Sequence, residues 1–468
     1  MSEIDQSVLR YLKDVQPILF WLDEDPLEPD SHSALIGDAT SDLCIVGAGY
    51  TGLWTALLAK ERNPNRTVII LEQRETGAGA SGRNGGFCNS SLTHGFLNGL
   101  RRFRKEIATI ERLGRENLNE IEVTIKKYNI DCDWERTGEL RVAVAPWQIE
   151  GMREEAELRN SFGDNVEFLS KEEVQLRVHS PLYEGALFDH DGTALVDPAR
   201  LVWGLEKVCL SLGVKIYENS KVDWLEQSDE SVVVHTAYGR VTASKVALAT
   251  NVYKSLVRSS RKYVIPVYDY QLVTEPLSPG QRLSIGWVER EGITDAGNQF
   301  HYYRLTSDGR ILWGGYDAIY NFRGKVRQEY EFSAETYATL ASHFLRTFPQ
   351  LEGIQFTHSW GGAIDTCTRF SPFWGHKGRI AYVMGYTGLG VAATRFGAAT
   401  MLDLLDGEQT ERTALTMVRR KPLPFPPEPL RYFFIRATQW SINRADQNGG
   451  RRNIWLKVLD RIGLGFDS

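Results

Sequence analysis

Residues 43–86 read LCIVGAGYTGLWTALLAKERNPNRTVIILEQRETGAGASGRNGG. An apolar strand leads into a glycine turn, a helix and a second apolar strand. Gly47 lets the chain turn sharply, Gly49 lets the backbone approach a pyrophosphate, and Gly52 lets the helix pack closely on the strand. The first N–H groups of that helix then point at the phosphates. The stretch therefore predicts a dinucleotide-binding βαβ unit.

The second strand of this unit ends in an acid. Glu72 stands twenty residues after Gly52, where a carboxylate can accept hydrogen bonds from ribose hydroxyls. This complete context of strand, turn, helix, strand and acid is much more specific than the glycine spacing alone. The predicted cofactor-binding residues of the unit are Gly47, Gly49, Tyr50, Thr51, Gly52, Glu72, Gln73 and Arg74.

A second glycine-rich segment, GASGRNGG at residues 79–86, follows the acid. We call residues 83–86 the clamp. Arg83 can offer its guanidinium and Asn84 its amide to an anionic ligand, and the glycines bring main-chain N–H groups close to it. Extra donors of this kind favour a permanently held flavin over a nicotinamide cofactor. The residues predicted to contact it here are Ala80, Ser81, Gly82, Arg83, Asn84, Gly85, Gly86 and Phe87.

Together these motifs resemble the FAD-dependent amine and amino-acid oxidoreductases typified by D-amino-acid oxidase, glycine oxidase and sarcosine oxidase. The GASGRNGG wording is most similar to the γ-glutamylputrescine oxidase branch. The resemblance implies non-covalent FAD, although some relatives use a Cys or His tether, for which Cys88 is the candidate. It also implies cofactor contacts from later segments, at Val222, Thr250, Gly385, Gly388, Leu389, Gly390 and Val391. Asn251, where many relatives have glycine, is a local departure.

The predicted fold is α/β: a Rossmann-like FAD-binding domain, an interleaved antiparallel-sheet substrate domain, and a C-terminal helical extension. The chain is long enough for two connected domains. The predicted segments are a helical lead-in at 1–41, FAD-binding parts at 42–95, 196–262 and 366–412, helices with substrate-domain strands at 96–195, the substrate sheet at 263–365, and a Pro-rich connector with a helical hairpin at 413–468.

Residues 264–365 alternate in the manner of strands and are rich in aromatic residues, which predicts an antiparallel sheet with a hairpin. By resemblance this sheet roofs the flavin. Aromatic rings there would exclude water and attract a cationic substrate, although such rings are also typical of a strand core. The predicted catalytic residues are Trp360, Tyr270 and His301, and the predicted pocket residues are Tyr268, Tyr303, Arg304, Trp313 and His94.

Three of these predicted site residues have structural alternatives. An inward Arg304 would favour amino acids or acidic amines, and an outward Arg304 would favour neutral or polycationic amines. A surface ion pair is the alternative for this arginine. His94 and His301 can equally be structural histidines.

The predicted reaction is hydride transfer from the carbon beside an amine nitrogen to flavin N5, leaving an imine. This chemistry needs positioning more than acid–base side chains, so no catalytic triad is expected. Oxygen is the predicted acceptor, giving hydrogen peroxide. One alternative is a dehydrogenase of an aminophosphonate or N-alkyl amino acid that reduces a quinone or protein, and another is a flavoprotein serving in docking or electron relay.

Composition restricts the partners and the compartment. A formal net charge of −6 and a pI near 5.9 argue against nucleic acid as a partner. Five scattered cysteines without a C-x-x-C pair argue against a disulfide framework, and the dispersed histidines predict no metal site. The acidic N-terminus lacks a signal-peptide pattern and no run is apolar enough to span a membrane, so a cytoplasmic location is expected.

The C-terminus carries five prolines between residues 422 and 429 and then two helical patterns. The second part is basic and rich in large apolar residues. It is interpreted either as a helical hairpin docked on the protein or on a partner subunit, or as a peripheral membrane-surface element. The sequence does not indicate the oligomeric state.

Overall fold

The computed structural model describes residues 8–23, 31–461 and 464. The helical lead-in proves short in this range: a 3-10 helix at Val8–Leu12 and one turn at Phe20–Asp23. Between them Gln16 pairs with the strand residue His358, so this segment lies extended against the body. Residues 1–7, 24–30, 462–463 and 465–468 of the predicted terminal segments lie outside the described residues.

The described strands are spread over residues 37–384. They are β1 Gly37–Val46, β2 Val68–Leu71, β3 Phe87–Asn89, β4 Glu139–Ala143, β5 Val166–Leu169, β6 Gly185–Asp189, β7 Thr193–Leu195, β8 Lys215–Tyr217, β9 Val222–Gln227, β10 Val232–Thr236, β11 Gly239–Leu248, β12 Ile265–Thr274, β13 Gly292–Asp295, β14 His301–Leu305, β15 Ile311–Gly315, β16 Phe356–Thr366, β17 Phe373–Lys377 and β18 Ile380–Met384.

The described α-helices alternate with these strands and continue beyond them. They are α1 Phe20–Asp23, α2 Tyr50–Arg62, α3 Ala80–Arg83, α4 Phe96–Phe103, α5 Ile107–Tyr128, α6 Ile149–Ser161, α7 Lys171–Arg177, α8 Pro198–Ser211, α9 Pro279–Ile285, α10 Ala334–Thr347, α11 Gly390–Asp406, α12 Glu411–Ala414, α13 Thr416–Arg419, α14 Leu430–Gln447 and α15 Ile454–Arg461.

The first sheet has the strand order β17-β18-β11-β1-β2-β8, with β10 and β9 added beside β11. β1 pairs in parallel with both β2 and β11, because the βαβ unit and the later return to the sheet both run in the same direction. Helix α8 begins at Pro198, and the carboxylate of the preceding Asp197 caps it by accepting a hydrogen bond from the N–H of Arg200 at 3.0 Å.

The second sheet has the order β16-β12-β15-β14-β13-β4-β6-β5. It is antiparallel except for one pair, β13 with β4, which is parallel. The strands from residues 263–365 pair with one another in antiparallel fashion, as predicted, and strands from residues 139–189 complete a mixed sheet.

Three apolar cores organise the body. One lies between the first sheet and helices α2, α5, α8 and α11. The second lies behind the second sheet, against α10, and contains many of its aromatic residues. The third covers the opposite face of the first sheet, on β9, β10 and β11. The two sheets leave a space between them that none of these three cores fills.

Candidate active site

A cavity of about 1120 Å³ lies between the carboxyl ends of β1 and β2 and one face of the second sheet. Its volume exceeds that of an ordinary small-ligand pocket, so it has room for a large cofactor and a substrate. The first sheet contributes its glycine turn, the clamp segment crosses the middle, and the second sheet and α14 close the far side.

Two helices open into this cavity with their N-termini. Among the described residues, the N-cap residues of α2 and α11 make no side-chain capping bond, and at α2 only the Tyr50 N–H donates to a side chain, to Ser81 Oγ at 2.9 Å. The residues Gly49 and Tyr50 at the start of α2, and Gly390 and Val391 at the start of α11, line the cavity. The remaining N–H groups and the positive end of each helix dipole could hold an anionic or electron-rich group, such as a phosphate.

The glycine turn is required by close backbone packing. Gly47 has φ +108°, and a Cβ there would lie 2.5 Å from the carbonyl oxygen of Ala249. A Cβ at Gly52 would lie 1.9 Å from the carbonyl oxygen of Gly47. Gly52 thus allows the helix to pack on the turn and does not itself reach the cavity.

The Glu72 carboxylate lies at the end of β2 and faces the cavity. It accepts hydrogen bonds from the backbone N–H of Ala48 at 2.8 Å and of Arg74 at 3.0 Å. Burial raises the pKa of this carboxyl, while those N–H donors oppose the shift. Glu72 therefore ties the turn to the strand end as well as offering oxygens to a ribose.

The clamp lies between the two sheets, and three of its four carbonyl groups accept hydrogen bonds, including that of Gly86, which accepts from the Val196 N–H at 2.9 Å. The Arg83 carbonyl accepts from the Trp360 indole at 2.8 Å and from the Gln271 amide at 3.1 Å. The Asn84 carbonyl accepts from the Trp21 indole at 2.9 Å. A Cβ at Gly85 would lie 2.6 Å from the ring of Tyr302. The clamp glycines are needed for contact with the second sheet.

The polar side chains of the clamp also form hydrogen bonds within the protein. The Arg83 guanidinium donates to the Glu331 carboxylate at 2.9 Å and to the Ala78 carbonyl at 3.0 Å. The Asn84 amide donates to the carbonyls of Ala80 and Ser81. Both residues line the cavity, but these hydrogen bonds hold the loop together, because a loop folded into the interior must satisfy its own polar groups.

Asp365 supports the predicted cofactor-binding segment at residues 385–391. This residue was not identified from the sequence. Its carboxylate accepts from the backbone N–H of Gly385 at 2.5 Å and of Tyr386 at 3.1 Å. Burial raises the pKa of Asp365 to about 7, although those N–H donors lower it. The acid fixes the turn before α11, and its position at the end of β16 gave no motif to find it by.

Most of the predicted cofactor residues line the cavity. They are Gly47, Gly49, Tyr50, Thr51, Glu72, Gln73, Arg74, Ala80, Ser81, Arg83, Asn84, Gly85, Phe87, Val222, Thr250, Gly388, Leu389, Gly390 and Val391. The others lie behind this surface: Gly52, Gly82 and Gly86 lie at close backbone contacts, and Gly385 lies against the side chains of Cys367 and Phe373.

The aromatic residues predicted to wall the substrate pocket lie on the other face of the second sheet. This group packs in the core behind the sheet and comprises Tyr268, Tyr270, Tyr303 and Trp313. Alternation along β12 places Tyr268 and Tyr270 on one face of the sheet, but it does not say which face meets the cavity. The expectation of an aromatic box is corrected: these rings form a core against α10.

Polar residues occupy the cavity face instead. Asp269, Gln271 and Tyr302 line the cavity from β12 and β14. The Tyr302 hydroxyl donates to Asp269 Oδ2 at 2.5 Å. Burial raises the pKa of Asp269 to about 6, and the Tyr302 hydrogen bond opposes this shift. The carboxylate is therefore charged at neutral pH and is held in a fixed position.

The remaining predicted residues have separate positions. Trp360 lies beneath the clamp and does not line the cavity. His301 lies one layer behind the cavity wall, bonded to Asp295 Oδ2 at 2.6 Å. Arg304 is buried and donates to the Val196 carbonyl at 2.6 Å, so it is neither a cavity residue nor a surface ion pair. His94 does line the cavity, and burial lowers its pKa to about 4.

The cavity continues past the clamp into an acidic arm. Its carboxylates, with Asp269, come from Glu111, Glu139, Glu155, Asp189, Asp295 and Asp317. Its two arginines are already paired, Arg141 with Glu155 and Arg159 with Asp189 at 2.6 Å. Burial raises the pKa of Glu111 to about 7. The field in this arm suits a cationic ligand better than an anionic one.

The far wall of the cavity is formed by the C-terminal helices. Residues of α14 at helical spacing line it, namely Arg431, Phe434, Ile435, Thr438, Gln439 and Ile442. Leu459 of α15 and Leu464 complete this wall. The hairpin is therefore docked on the protein's own body, as one of the two interpretations expected.

Neither a cysteine tether nor a metal at the cavity is indicated by the described residues. Cys88 is buried between Phe87 and Asn89, which face the cavity while Cys88 points to the core. Away from the cavity the fold does bring three possible metal ligands together, His32, Glu206 and Glu218. Sequence spacing did not predict this group. Its contacts, such as His32 Nε2 to Glu206 Oε1 at 3.0 Å, attach the N-terminal segment to the body.

The two open helix ends, the glycine turn and the cavity volume define a dinucleotide-binding flavoprotein. The family model described as FAD dependent oxidoreductase, DAO, matches residues 42–404. The chain belongs to this family of FAD-dependent oxidoreductases. The predicted α/β fold and the FAD cofactor are thereby confirmed.

Related proteins extend this result. The gamma-glutamylputrescine oxidoreductase of Escherichia coli is 32% identical over 394 residues, covering 82% of this chain and 88% of that protein. A probable oxidoreductase, OrdL, of Haemophilus influenzae is 31% identical, covering 79% and 83%. The structure of glycine oxidase from Geobacillus kaustophilus is similar with a TM-score of 0.65 and 18% identity, covering 82% of this chain and 99% of that chain, which shows the shared fold.

The first prediction concerns the glycine turn. We expect Gly49→Val to abolish tight FAD binding, because a Cβ there already lies 2.8 Å from Ser81 Oγ and branched carbons would also fill the phosphate site. The absorbance of the purified protein measures bound flavin. The control is Gly151→Ala in α6, where a Cβ meets nothing within 4 Å. A fully yellow Gly49→Val protein would contradict the placement of the pyrophosphate.

The second prediction concerns the indole beneath the clamp. We expect Trp360→Phe to weaken FAD binding about tenfold, because the Arg83 carbonyl loses one of two donors and the clamp loosens. Trp374→Phe is the matched control, since its buried indole donates to the Gly397 carbonyl at 3.1 Å, away from the clamp. FAD titration of the apoproteins compares the two. Equal loosening in both variants would argue against a specific role for Trp360.

Proposed function

We propose that the chain oxidises the C–N bond of a small amine or amino acid to an imine, and that it prefers amines whose remainder is neutral or cationic. The observation that carries the proposal is the acidic arm. Asp269, Asp295 and Asp317 line it, its arginines are already ion-paired, and Arg304 lies outside the cavity. A γ-glutamylated polyamine fits this description, because the α-ammonium and α-carboxylate of its glutamyl group cancel, and a gamma-glutamylputrescine oxidoreductase is among the relatives.

The residues of this chain would position and desolvate the substrate. The Asp269 carboxylate attracts the ammonium group, and the Tyr302 hydroxyl fixes that carboxylate at Oδ2. Apolar lining residues such as Phe87, Phe300 and Phe370 exclude water from the same space. When bound, FAD supplies the acceptor for the hydride that leaves the carbon beside the nitrogen. Water then hydrolyses the released imine, and oxygen as electron acceptor would yield hydrogen peroxide.

The proposed reaction gives a definite pH dependence. An amine must lose its proton before the hydride leaves, so the rate rises with pH towards the pKa of the bound amine. Because the pKa of Asp269 is raised to about 6, its carboxylate becomes fully charged only above that pH. Both effects increase the rate as pH rises.

Anaerobic titration of the FAD-loaded protein tests the substrate class. We expect bleaching of the flavin by one or more members of a panel of amines, γ-glutamyl amines, amino acids, N-alkyl amino acids and aminophosphonates, with cationic or neutral amines fastest. Admission of oxygen should restore the spectrum and release hydrogen peroxide. Bleaching by alcohols or 2-hydroxy acids, with none by any amine, would contradict the amine assignment.

Two consecutive tyrosines on opposite faces of β14 provide a matched pair of variants. Tyr303→Phe removes the contact with the Tyr183 hydroxyl at 2.7 Å, so we expect unfolding to need about 1 kcal/mol less with flavin reduction unchanged. Tyr302→Phe removes the donor to Asp269 and raises the pKa of that carboxyl further. Reduction at neutral pH should then slow roughly tenfold, with the loss shrinking as pH rises.

Stopped-flow absorbance and thermal unfolding measure the two effects separately. If flavin reduction slowed equally in both variants, the Tyr302 side chain on the cavity face would have no special role in the reaction.

A further inference from the structure

The C-terminal hairpin, α14 with α15, has a second face that does not touch the cavity. On α14 this outer face exposes Leu430, Phe433 and Trp440 by 63%, 66% and 60%. On α15 it exposes Ile454 and Val458 by 82% and 46%. Their spacing of three, four or seven residues places each set on one side of its helix. The hairpin therefore carries large apolar side chains on its outside as well as on the side that lines the cavity.

Aromatic rings continue this outer face onto the body. The Tyr432 ring lies 5.6 Å from the ring of Phe322 and 6.1 Å from that of Phe433. Phe322 is itself 48% exposed. The exposed apolar surface thus crosses from the hairpin to a neighbouring loop and is not a scatter of single residues.

The charges of the hairpin are distributed unequally between its faces. Residues 430–461 contain seven Lys and Arg against two Asp, whereas the whole chain has a net charge of −6. Five of these cations are exposed, at Arg436, Arg444, Arg451, Lys457 and Arg461.

Both acids of the described hairpin are engaged elsewhere. Asp446 accepts from the backbone N–H groups of Asn298 and Gln299 on the body. Asp460 accepts from Arg452 at 2.9 Å and lies 3.7 Å from Arg101. The outer face therefore combines large apolar side chains with positive charge on an otherwise acidic protein.

We propose that this outer face binds an anionic lipid bilayer surface. Helices with this composition lie in the membrane interface, where apolar rings enter the headgroup layer and Lys or Arg meet lipid phosphates. The Arg444 guanidinium lies 5.4 Å from the Trp440 ring centroid, so the two groups present a joint apolar and cationic contact.

Two other occupants fit this surface less well. A second copy in a two-fold dimer would bring the same cationic residues against each other. A nucleic acid would bind the arginines but would leave Leu430 and Ile454 exposed to water. Among the described residues no helix is long and apolar enough to cross a bilayer, so the proposed contact is peripheral.

Co-sedimentation with vesicles tests the proposal on the full-length, FAD-loaded protein. We expect binding to vesicles of phosphatidylcholine with phosphatidylglycerol, weaker binding at high salt because screening shortens the attraction, and little binding to phosphatidylcholine alone. Phe433→Ser with Trp440→Ser should weaken binding about tenfold or more, because two rings no longer leave water. Arg436→Glu with Lys457→Glu should abolish the preference for the anionic lipid.

The matched control is Leu176→Ser with Leu283→Ser, which removes two apolar residues that are 83% and 80% exposed elsewhere. It should bind vesicles like the parent. Flavin absorbance and the unfolding transition check that every variant is folded, independently of any substrate. Failure of the parent to sediment, or equal binding by parent and hairpin variants, would overturn the proposal. So would light scattering that showed a dimer dissociated by Phe433→Ser with Trp440→Ser, without vesicle binding.

Discussion

The architecture depends on one contact, the flat seating of the clamp backbone on the second sheet. The Gly85 backbone lies so close to Tyr302 that a Cβ would stand 2.6 Å from its ring. The Arg83 carbonyl accepts from both Trp360 and Gln271. Because the same short segment continues from the FAD-binding turn, this contact fixes how far the substrate face lies from the cofactor. The cavity between the sheets is a consequence of that spacing.

This contact explains which parts of the site could be predicted from sequence. Glycine positions were found because their requirement is local: a positive φ at Gly47, or a backbone neighbour at Gly52, leaves a mark in the motif. Strand alternation likewise grouped Tyr270 with Tyr268 correctly. The alternation does not indicate which face of the sheet meets the cavity, because a period of two residues is the same whichever face is buried. Contact with the clamp makes that choice, and it places Asp269 and Tyr302 at the cavity.

The hydrogen-bond partners of the polar side chains could not be predicted from the local sequence for a different reason. Arg83 bonds with Glu331, and Asp365 bonds with Gly385, across long stretches of chain. A motif can say that an arginine is present near an anionic ligand, but the guanidinium bonds to whichever acceptor the fold brings closest. In this chain the Glu331 carboxylate, which precedes α10, accepts a hydrogen bond from Arg83. The residue that resembles a phosphate ligand therefore also holds the clamp in place.

The C-terminal hairpin limits how far the relatives inform the substrate. The family match ends at residue 404, whereas the residues of α14 that close the cavity begin at Arg431. The cofactor side of the site therefore follows the family, because its glycines and helix ends lie within the match. The substrate side is bounded partly by a segment outside it. Because α14 lines the cavity together with Asp269 and the acidic arm, identity in the glycine turn alone does not identify the substrate of this chain.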